Sequence, residues 1–382
     1  MDKILIVGSN NNAALAIAQD LGNDYKIICF GFKEDFNKVQ YSRFLYSYHN
    51  ISKVSSIKEI EDSIVKLTIE KKINFIIPTN DRFTLLLSRD TIRSRINNVI
   101  ITTPEYKILI NGIDKLKVTK IAQKVGLKTP LTYLNSYEKI SKFPVYMKSR
   151  ISWDITEGKF EKGIVKKINN HVELRSHLQN YDTNKIYIQN QVFGNGWGLE
   201  VIAKNGILLN YFAHLRLRES NPKGGYSSAA KSIIPKSFYL EKIKLILKEL
   251  NWTGVAMFEF KGDYQNKDSN LIEMNCRFWG SLPVALHSGN RFPYKLISMH
   301  EGKKINQSEY NSNIKVRWLQ ADIIHFIKVL TLKNRKHYNI PSPLVTFKNV
   351  FFKKMKGYNY IHGDWRPGFY EITIGFLKKI YG

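Results

Sequence analysis

Apolar and polar positions in the first 110 residues follow two alternating periods. Short apolar runs such as Lys3–Val7 and Asn74–Pro78 are typical of buried strands, whereas Ala13–Leu21 and Ile57–Lys71 place apolar residues at helical spacing. The other elements predicted there are strands at Tyr25–Phe30 and Asn98–Thr102 and a helix from about Asp81. Strands that alternate with helices indicate an α/β domain with a parallel sheet and helices on its faces.

The pattern changes after residue 110. A lysine-rich amphipathic helix is predicted at Asp114–Val125, then a series of strands, with a helix at Glu241–Leu250. These strands are predicted at Phe143–Lys148, Lys185–Val192, Trp197–Lys204, Ile207–His214, Gly254–Lys261 and Asn270–Asn275. Such a series favours an α+β arrangement with an antiparallel sheet. The predicted divisions are residues 1–110, residues 111–312 and a C-terminal region of residues 313–382.

Composition excludes several classes of protein. The 382 residues are 43% hydrophobic, which is enough for packed cores and excludes global disorder. No run of 18 apolar residues predicts a spanning helix, and the N-terminus lacks the pattern of a signal peptide. With only Cys29 and Cys276 and no CxxC pair, neither a disulfide framework nor a zinc site is expected. We therefore expect a reducing, cytoplasmic location.

The charge is strongly positive. There are 59 Lys and Arg against 32 Asp and Glu, for a net charge of +27, and residues 315–382 carry 13 against 3. This balance favours an anionic partner, and the alternatives are a nucleotide, a nucleic acid, an acidic membrane face and an acidic glycan. A general compositional bias explains the charge equally well. Nucleic acid is the weaker interpretation because no RNA- or DNA-binding motif accompanies the charge.

The segments GVAMFEFKGD and NLIEMNCRFWGS contain the strongest chemical signal. Residues i and i+2 of a strand face the same way, so Glu273 and Asn275 share a face, and the short turn between the strands brings Glu259 beside them. Two carboxylates and an amide oxygen are hard ligands that suit Mg²⁺ on nucleotide phosphates. The alternative is a hairpin with two solvated acids. Arg277 follows directly and is suited to bidentate binding of a phosphoryl or carboxylate group.

A second group of basic residues lies upstream. Arg216 and Arg218 are predicted to share one strand face with His214, near Lys223, and together with Arg277 they predict a pocket for an acyl phosphate or carboxylate. The alternative is a solvated basic strand in which Glu219 pairs locally with one arginine. His214 is predicted to be structural rather than catalytic.

These segments resemble the carboligase-like group of the ATP-grasp superfamily, which includes the carbamoyl-phosphate synthase large chain. Residues 273–281 contain the E-x-N-x-R-x-x-G-S motif without a gap, and the likeness, weaker in the first domain, covers about residues 1–300. The other segments that resemble the family are IDKLKVTKIAQKVGLKTP, FPVYMKSR, IQNQVFGNGWGLEVIAKNG, HLRLRESNPKGGYSSAAKS and HSGNRFP. The resemblance implies a Rossmann-like pre-ATP-grasp domain followed by an α+β ATP-grasp fold.

The resemblance also implies ATP and Mg²⁺ as cofactors, with Mn²⁺ as a substitute, and it assigns nucleotide-binding residues. Lys148 is expected at the α- and β-phosphates and Lys115 on the other side of the nucleotide. The adenine hinge is expected at Gln189, Asn190, Gln191 and Val192. Each lysine could equally be an ordinary surface lysine, and the hinge an edge strand.

One segment departs from the family pattern. The phosphate-covering flap that follows the phosphate lysine is usually rich in glycine, but Ser149–Lys167 contains only Gly158 and Gly163. GNGWG at Gly194–Gly198 is predicted to be a turn rather than a phosphate loop, because no helix follows it.

The function predicted from the sequence is that of a carboxylate–amine ligase (EC 6.3). Such an enzyme forms an acyl phosphate from ATP and a small-molecule or polymer-precursor carboxylate, and an amine then attacks it.

One alternative is a nucleotide-binding protein without ligase activity. Another is a basic module at a membrane or glycan, in which aromatic residues interleave with the charges at the C-terminus. The same aromatic residues could instead pack this region onto the catalytic domain. The ligase and membrane hypotheses are compatible if the basic C-terminal region holds a ligase at the inner membrane face. The sequence predicts no particular oligomeric state.

Overall fold

The computed structural model describes residues 1–134, 137–307, 309–333, 335 and 340–381, with side chains as far as residue 373. The strands are β1 (Lys3–Val7), β2 (Lys26–Phe32), β3 (Leu45–Ile51), β4 (Phe75–Pro78), β5 (Ile100–Ile101), β6 (Thr132–Tyr133), β7 (Val145–Ser149), β8 (Trp153–Thr156), β9 (Lys159–Lys162), β10 (Val165–Ile168), β11 (Ile186–Asn190), β12 (Gly196–Lys204), β13 (Ile207–Glu219), β14 (Ser227–Ile233), β15 (Gly254–Lys261), β16 (Asn270–Asn275), β17 (Lys315–Arg317) and β18 (Lys356–Gly357). The helices are α1 (Asn12–Leu21), α2 (Ile57–Lys71), α3 (Asp81–Ser88), α4 (Asp90–Arg93), α5 (Tyr106–Ile113), α6 (Lys115–Lys124), α7 (His171–Leu178), α8 (Ser237–Glu249), α9 (Leu282–His287), α10 (Phe292–His300), α11 (Leu319–Thr331), α12 (Pro343–Phe351) and α13 (Arg366–Tyr381).

The first five strands form a parallel sheet in the order β3-β2-β1-β4-β5. Apolar side chains of β1 alternate between two cores. Ile4 and Ile6 pack with α1, and Leu5 and Val7 pack with α2 and α3. Burial on both faces explains why β1 is a continuous apolar run. The Asn11 side chain accepts from the Ala14 amide and caps α1, so this polar loop has a structural role.

Two smaller antiparallel sheets follow. Strands β10, β7, β11 and β6 form a four-stranded sheet in that order, and β8 and β9 form a separate hairpin, here called the flap hairpin. The flap hairpin lies within the segment that departs from the family pattern. Its strands, WDIT and KFEK, lack an apolar run, and the sequence did not predict them.

The largest sheet has seven strands in the order β16-β15-β12-β13-β14-β17-β18, which are antiparallel as far as β17. One face packs on α8 through aromatic residues such as Trp197 and Phe260. The opposite face is apolar where Phe212 and Met257 join the core around α9 and α10. It becomes polar toward Glu259, so the second face of this sheet holds the candidate site at its polar end.

The C-terminal region is joined to the rest of the fold. Strands β17 and β18 extend the seven-stranded sheet, and the segment after them contacts the region of the first sheet. A buried ion pair joins Lys38 to Glu371 at 2.8 Å, and the Tyr41 and Tyr370 rings stack at 3.8 Å. Among the helices of the described residues, none has the length and apolar character needed to cross a membrane. The three domain divisions stay a prediction.

Candidate functional site

The hairpin of β15 and β16 brings the predicted metal ligands together. Glu259 and Glu273 are paired across the two strands, and Asn275 lies two residues beyond Glu273 on the same face. Asn275 Nδ2 donates to Glu259 Oε1 at 3.1 Å and lies 3.4 Å from Glu273 Oε1. Two carboxylates and one side-chain amide therefore converge on one point at the polar end of the large sheet.

Cationic side chains surround these carboxylates. Arg216 Nη2 lies 2.8 Å from Glu259 Oε2, and Lys115 Nζ lies 3.5 Å from Glu273 Oε2. Arg277 Nη2 lies 3.3 Å from Asn275 Oδ1. These residues come from three different elements, β13, α6 and the segment after β16. The structure thus brings the predicted Arg216, Arg277 and Lys115 to the predicted metal ligands.

Burial and charge shift the pKa values of two groups in the site. Burial lowers the pKa of Lys148 to about 8, although Glu273 opposes this shift. Burial raises the pKa of Glu273, but Lys115, Lys148 and Arg277 outweigh it and leave that pKa below its usual value. Glu273 is therefore ionised at neutral pH, as a metal ligand must be.

The donor set fits Mg²⁺ only when a nucleotide supplies further ligands. Among the described residues, no group of three or more His, Cys, Asp or Glu side chains could hold a metal ion. Mg²⁺ is usually bound through one or two carboxylates together with substrate phosphates and water, and Glu259 and Glu273 match that pattern. Asn275 would present Oδ1 to the metal after its amide turns over.

The predicted hinge residues lie in different surroundings. Gln189 is buried, accepts from Lys148 Nζ at 3.0 Å and donates to Thr132 at 3.1 Å, so its side chain positions Lys148. The buried Oδ1 of Asn190 accepts no hydrogen bond from any residue that the structure describes. Gln191 lines the cavity described next, and Val192 is half-buried in the loop after β11.

A cavity of about 360 Å³ adjoins Arg216. Its walls are the loop before β12, the end of β13 and the inner side of the C-terminal region. The polar residues that line it include Gln191, Arg216, Lys223, Lys261, His325 and Asn349. The walls carry more positive than negative side chains, since Glu219 is the only acidic residue on the described wall and is 3.3 Å from Arg216. The cavity is therefore suited to an anionic small molecule.

Arg218 differs from the sequence expectation. It also lines the cavity, but a bulge between Arg216 and Arg218 separates them, and Arg218 binds Asp322 of α11 through two contacts of 2.7 and 2.6 Å. The two arginines therefore do not form one anion clamp. His214 is buried and contacts Glu200 at 2.5 Å and Ser281 at 3.1 Å, and the absence of a side chain at Gly198 leaves room for this pair.

The flap hairpin covers the carboxylates. Ser152 and Trp153 line a space of only about 20 Å³ together with Lys115, Glu273 and Asn275. Arg82 lies 5.0 Å from the Trp153 ring centroid and holds the hairpin toward α3. A volume of this size holds about one water molecule, so Trp153 and the segment before it lie close against Glu273 and Asn275.

Two charged residues near the site were not identified from the sequence. Asp81, at the start of α3, accepts from Arg277 Nε at 2.8 Å although 196 residues separate them. Lys261 lines the cavity at the end of β15. The position of Lys261 two residues after Glu259 could have indicated its face, but no local pattern connects Asp81 with Arg277.

Comparisons with known proteins bear on the fold of this chain. No family model matches the chain, and no curated protein matches it. Solved structures do. The biotin carboxylase domain of the Hydrogenobacter thermophilus 2-oxoglutarate carboxylase, crystallised with MgADP, ADP and bicarbonate, has a TM-score of 0.62 at 16% identity and covers 82% of this chain and 73% of its own.

Two ligases or synthetases show the same likeness. The L-amino acid ligase from Bacillus licheniformis has a TM-score of 0.58 at 15% identity, with 78% of this chain and 73% of that chain covered. The N5-carboxyaminoimidazole synthetase from Staphylococcus aureus has a TM-score of 0.59 at 15% identity, with 82% and 80% covered. The chain has the ATP-grasp fold. The ATP-grasp part of the predicted fold is therefore confirmed, whereas the Rossmann-like assignment of the first domain stays a prediction.

Proposed function

We propose that this protein is an ATP-dependent ligase that activates a carboxylate as an acyl phosphate for attack by an amine. The observation that supports this most directly is the convergence of Glu259, Glu273 and Asn275, ringed by Lys115 and Arg277. Phosphoryl transfer depends on positioning and on charge neutralisation, and this arrangement offers both. The ligase and synthetase of the same fold support the class of reaction.

The nucleotide lies, in this proposal, between the four-stranded sheet and the large sheet. Lys148 binds the α- and β-phosphates, and Lys115 contacts the nucleotide from the other side. Asn190 offers an adenine amino group the buried Oδ1 that accepts no bond from the described residues. Mg²⁺ held by Glu259, Glu273 and Asn275 would neutralise charge on the phosphates, and Mn²⁺ would substitute for it.

The acid substrate occupies the cavity beside Arg216. One of its carboxylate oxygens attacks the γ-phosphorus, the bond from that phosphorus to the β–γ bridging oxygen breaks, and ADP leaves with the electron pair. Arg277 and Arg216 neutralise the phosphoryl and acyl oxygens while the bond changes. The amine then attacks the acyl carbon, its proton is lost, and phosphate departs with the electrons of the C–O bond. Bicarbonate could take the place of the carboxylate.

The remaining parts of the chain have supporting roles in this proposal. The first parallel sheet, residues 1–110, acts as a Rossmann-like pre-ATP-grasp domain, residues 111–312 bind ATP and catalyse, and residues 313–382 close the substrate cavity. The likeness to the carbamoyl-phosphate synthase large chain belongs to the same proposal.

A second candidate is a nucleotide-binding protein without ligase turnover. The flap hairpin favours it, because this hairpin has few glycines and is held over the carboxylates by Arg82. The two candidates differ in one measurement. A ligase releases ADP when a suitable acid and amine are supplied together, whereas a binding protein does not.

The metal assignment is tested by titration calorimetry with ATP, with and without Mg²⁺. We expect Mg²⁺ to tighten ATP binding by wild-type protein, and we expect Glu273→Gln to reduce that effect at least about tenfold, since a carboxylate ligand is lost. Glu61→Gln is the control, because Glu61 is also a carboxylate with a basic partner, Arg89 at 3.7 Å, but it lies on α2. An unchanged Mg²⁺ effect in Glu273→Gln would show that the metal is held elsewhere.

A further inference from the structure

Large apolar side chains are exposed on the two helices of the C-terminal region. They lie on α11, on α12 and directly after α12, and each is 38–75% exposed. This set, here called the α11–α12 patch, consists of Ile327, Leu330, Leu344, Val345, Phe347, Phe351 and Phe352. The opposite side of each helix is buried through Val329 and Val350, so the two helices are amphipathic and present their second apolar side outward.

The charge along this stretch of the chain has a single sign. Residues 323–363 contain no Asp or Glu and eight Lys or Arg, although the chain as a whole has 32 acids. The basic residues of this stretch are Lys328, Lys333, Arg335, Lys336, Lys348, Lys353, Lys354 and Lys356. Lys348, Lys353 and Lys354 are exposed beside the aromatic side chains of α12. Apolar side chains within a wholly basic stretch are the pattern of a helix that lies in an anionic membrane interface.

We propose that the α11–α12 patch docks this protein on the surface of an anionic lipid bilayer. The aromatic and aliphatic side chains enter the boundary between headgroups and acyl chains, and the lysines bind the anionic headgroups. Because the apolar residues lie on the outer side of two packed helices, the protein lies on the membrane and does not cross it. The cavity wall includes Thr346 and Asn349, which lie on the same helix, so docking places the substrate cavity close to the lipid surface.

The charge favours a membrane over a protein partner. A second copy of this chain would bring two strongly basic surfaces together, which repels. The core of a protein interface is usually poor in lysine, whereas Lys348, Lys353 and Lys354 are interspersed with the apolar side chains of this patch. An anionic bilayer complements the lysines and accommodates apolar side chains of any shape.

The experiment is flotation of the full chain with vesicles of phosphatidylcholine alone or with about a third phosphatidylglycerol. We expect binding only to the anionic vesicles, with a fall of about tenfold or more for Lys353→Glu/Lys354→Glu, since each basic residue near the surface contributes. Leu344→Ser/Phe352→Ser should weaken binding at low and high salt alike, because it removes insertion. The matched controls are Lys58→Glu/Lys120→Glu and Ile69→Ser/Val172→Ser, which change exposed residues of other helices.

A second readout keeps the test decisive if a variant folds poorly. Native cysteines are buried, so a polarity-sensitive dye on Phe352→Cys reports the patch alone. Its emission should shift to the blue with anionic vesicles and stay unchanged with phosphatidylcholine. Equal binding to both vesicle types, an unshifted dye, or gel-filtration behaviour that shows a dimer lost in Leu344→Ser/Phe352→Ser would each overturn the proposal. Retention of the dye-labelled chain by an acidic protein but not by vesicles would overturn it as well.

Discussion

Lys148 lies in surroundings unlike those of a surface lysine. It ends an apolar strand, it is oriented by the buried Gln189, and burial holds its pKa at about 8. In the folded protein it therefore gives up its proton at a pH where it would keep it in the unfolded chain. Between about 8 and the usual lysine value the unfolded chain binds more protons, so Lys148 makes the free energy of unfolding rise with pH in that window.

This pKa predicts that ATP binding takes up protons. The phosphates favour the charged ammonium group, so the affinity should fall as the pH rises through about 8. At that pH each binding event should take up about half a proton, because the free lysine is half protonated. Calorimetry in two buffers with different ionisation enthalpies measures the uptake. Lys148→Met should abolish it, and Lys120→Met, on an exposed face of α6, should leave it intact. Uptake that persists in Lys148→Met would assign the proton to another group.

The part of the site that could be predicted from sequence is the part that follows from strand periodicity. Glu273 and Asn275 share a face because they are two residues apart, and a short turn brings Glu259 across from them. The partners of the arginines could not be predicted in this way. Asp81 and Asp322 come from helices far away in the chain, and Asp322 draws Arg218 away from Arg216. Only the packed fold determines such pairs.

Among the elements, apolar runs were predicted best. The bounds of β1, β15, β16 and α2 match the predicted residues, because each has a buried face with a clear period. Elements without such a face were missed, among them β3, β8 and β9. The flap hairpin is one of these, since its stability comes from contacts with α3 and not from its own pattern.

Aromatic and cation–π contacts hold the flap hairpin against α3. Phe160 contacts the Phe83 ring at a centroid distance of 6.2 Å, and Arg82 lies over Trp153. Phe160→Ala should release the hairpin, so amide exchange in residues 151–163 should become faster by about tenfold, and ATP should bind faster because the entrance is open. Hydrogen-exchange mass spectrometry and stopped-flow binding measure the two effects. Lys159→Ala, an exposed residue of the same hairpin, is the control. Unchanged exchange in Phe160→Ala would mean that the other contacts hold the hairpin.

At the scale of the whole molecule, the C-terminal region links the large sheet to the first sheet. Strands β17 and β18 extend the edge of the large sheet. Glu371 of α13 pairs with Lys38, which follows β2 of the first sheet. The sequence left this open, since the same aromatic residues could serve either a membrane or packing. In the structure, some of these aromatic side chains are buried and others are exposed. Tyr358 is buried in the fold, whereas Phe347, Phe351 and Phe352 are exposed, so the region has an inner face for packing and an outer face for a partner.

The buried pair of Lys38 and Glu371 allows this link to be tested. Glu371 also accepts from Trp318 Nε1 at 2.8 Å, so Lys38→Met leaves a buried carboxylate with hydrogen bonds but no counter-charge. The expected loss is about 3–5 kcal/mol, measured by denaturant unfolding. The double variant Lys38→Met/Glu371→Gln should recover much of it, because the uncompensated charge is gone. Lys124→Met removes an exposed pair with Glu249 and should cost at most about 1 kcal/mol.

Amide exchange in residues 356–373 determines whether this loss is local. If the pair fastens the C-terminal region to the first sheet, exchange there should accelerate in Lys38→Met while strands β15 and β16 stay protected. Substrate binding in the cavity should weaken with it, because His325, Thr346 and Asn349 form part of the cavity wall. Equal acceleration in both segments would show that the pair stabilises the molecule as a whole, and the C-terminal region would then be an inseparable part of one cooperative unit.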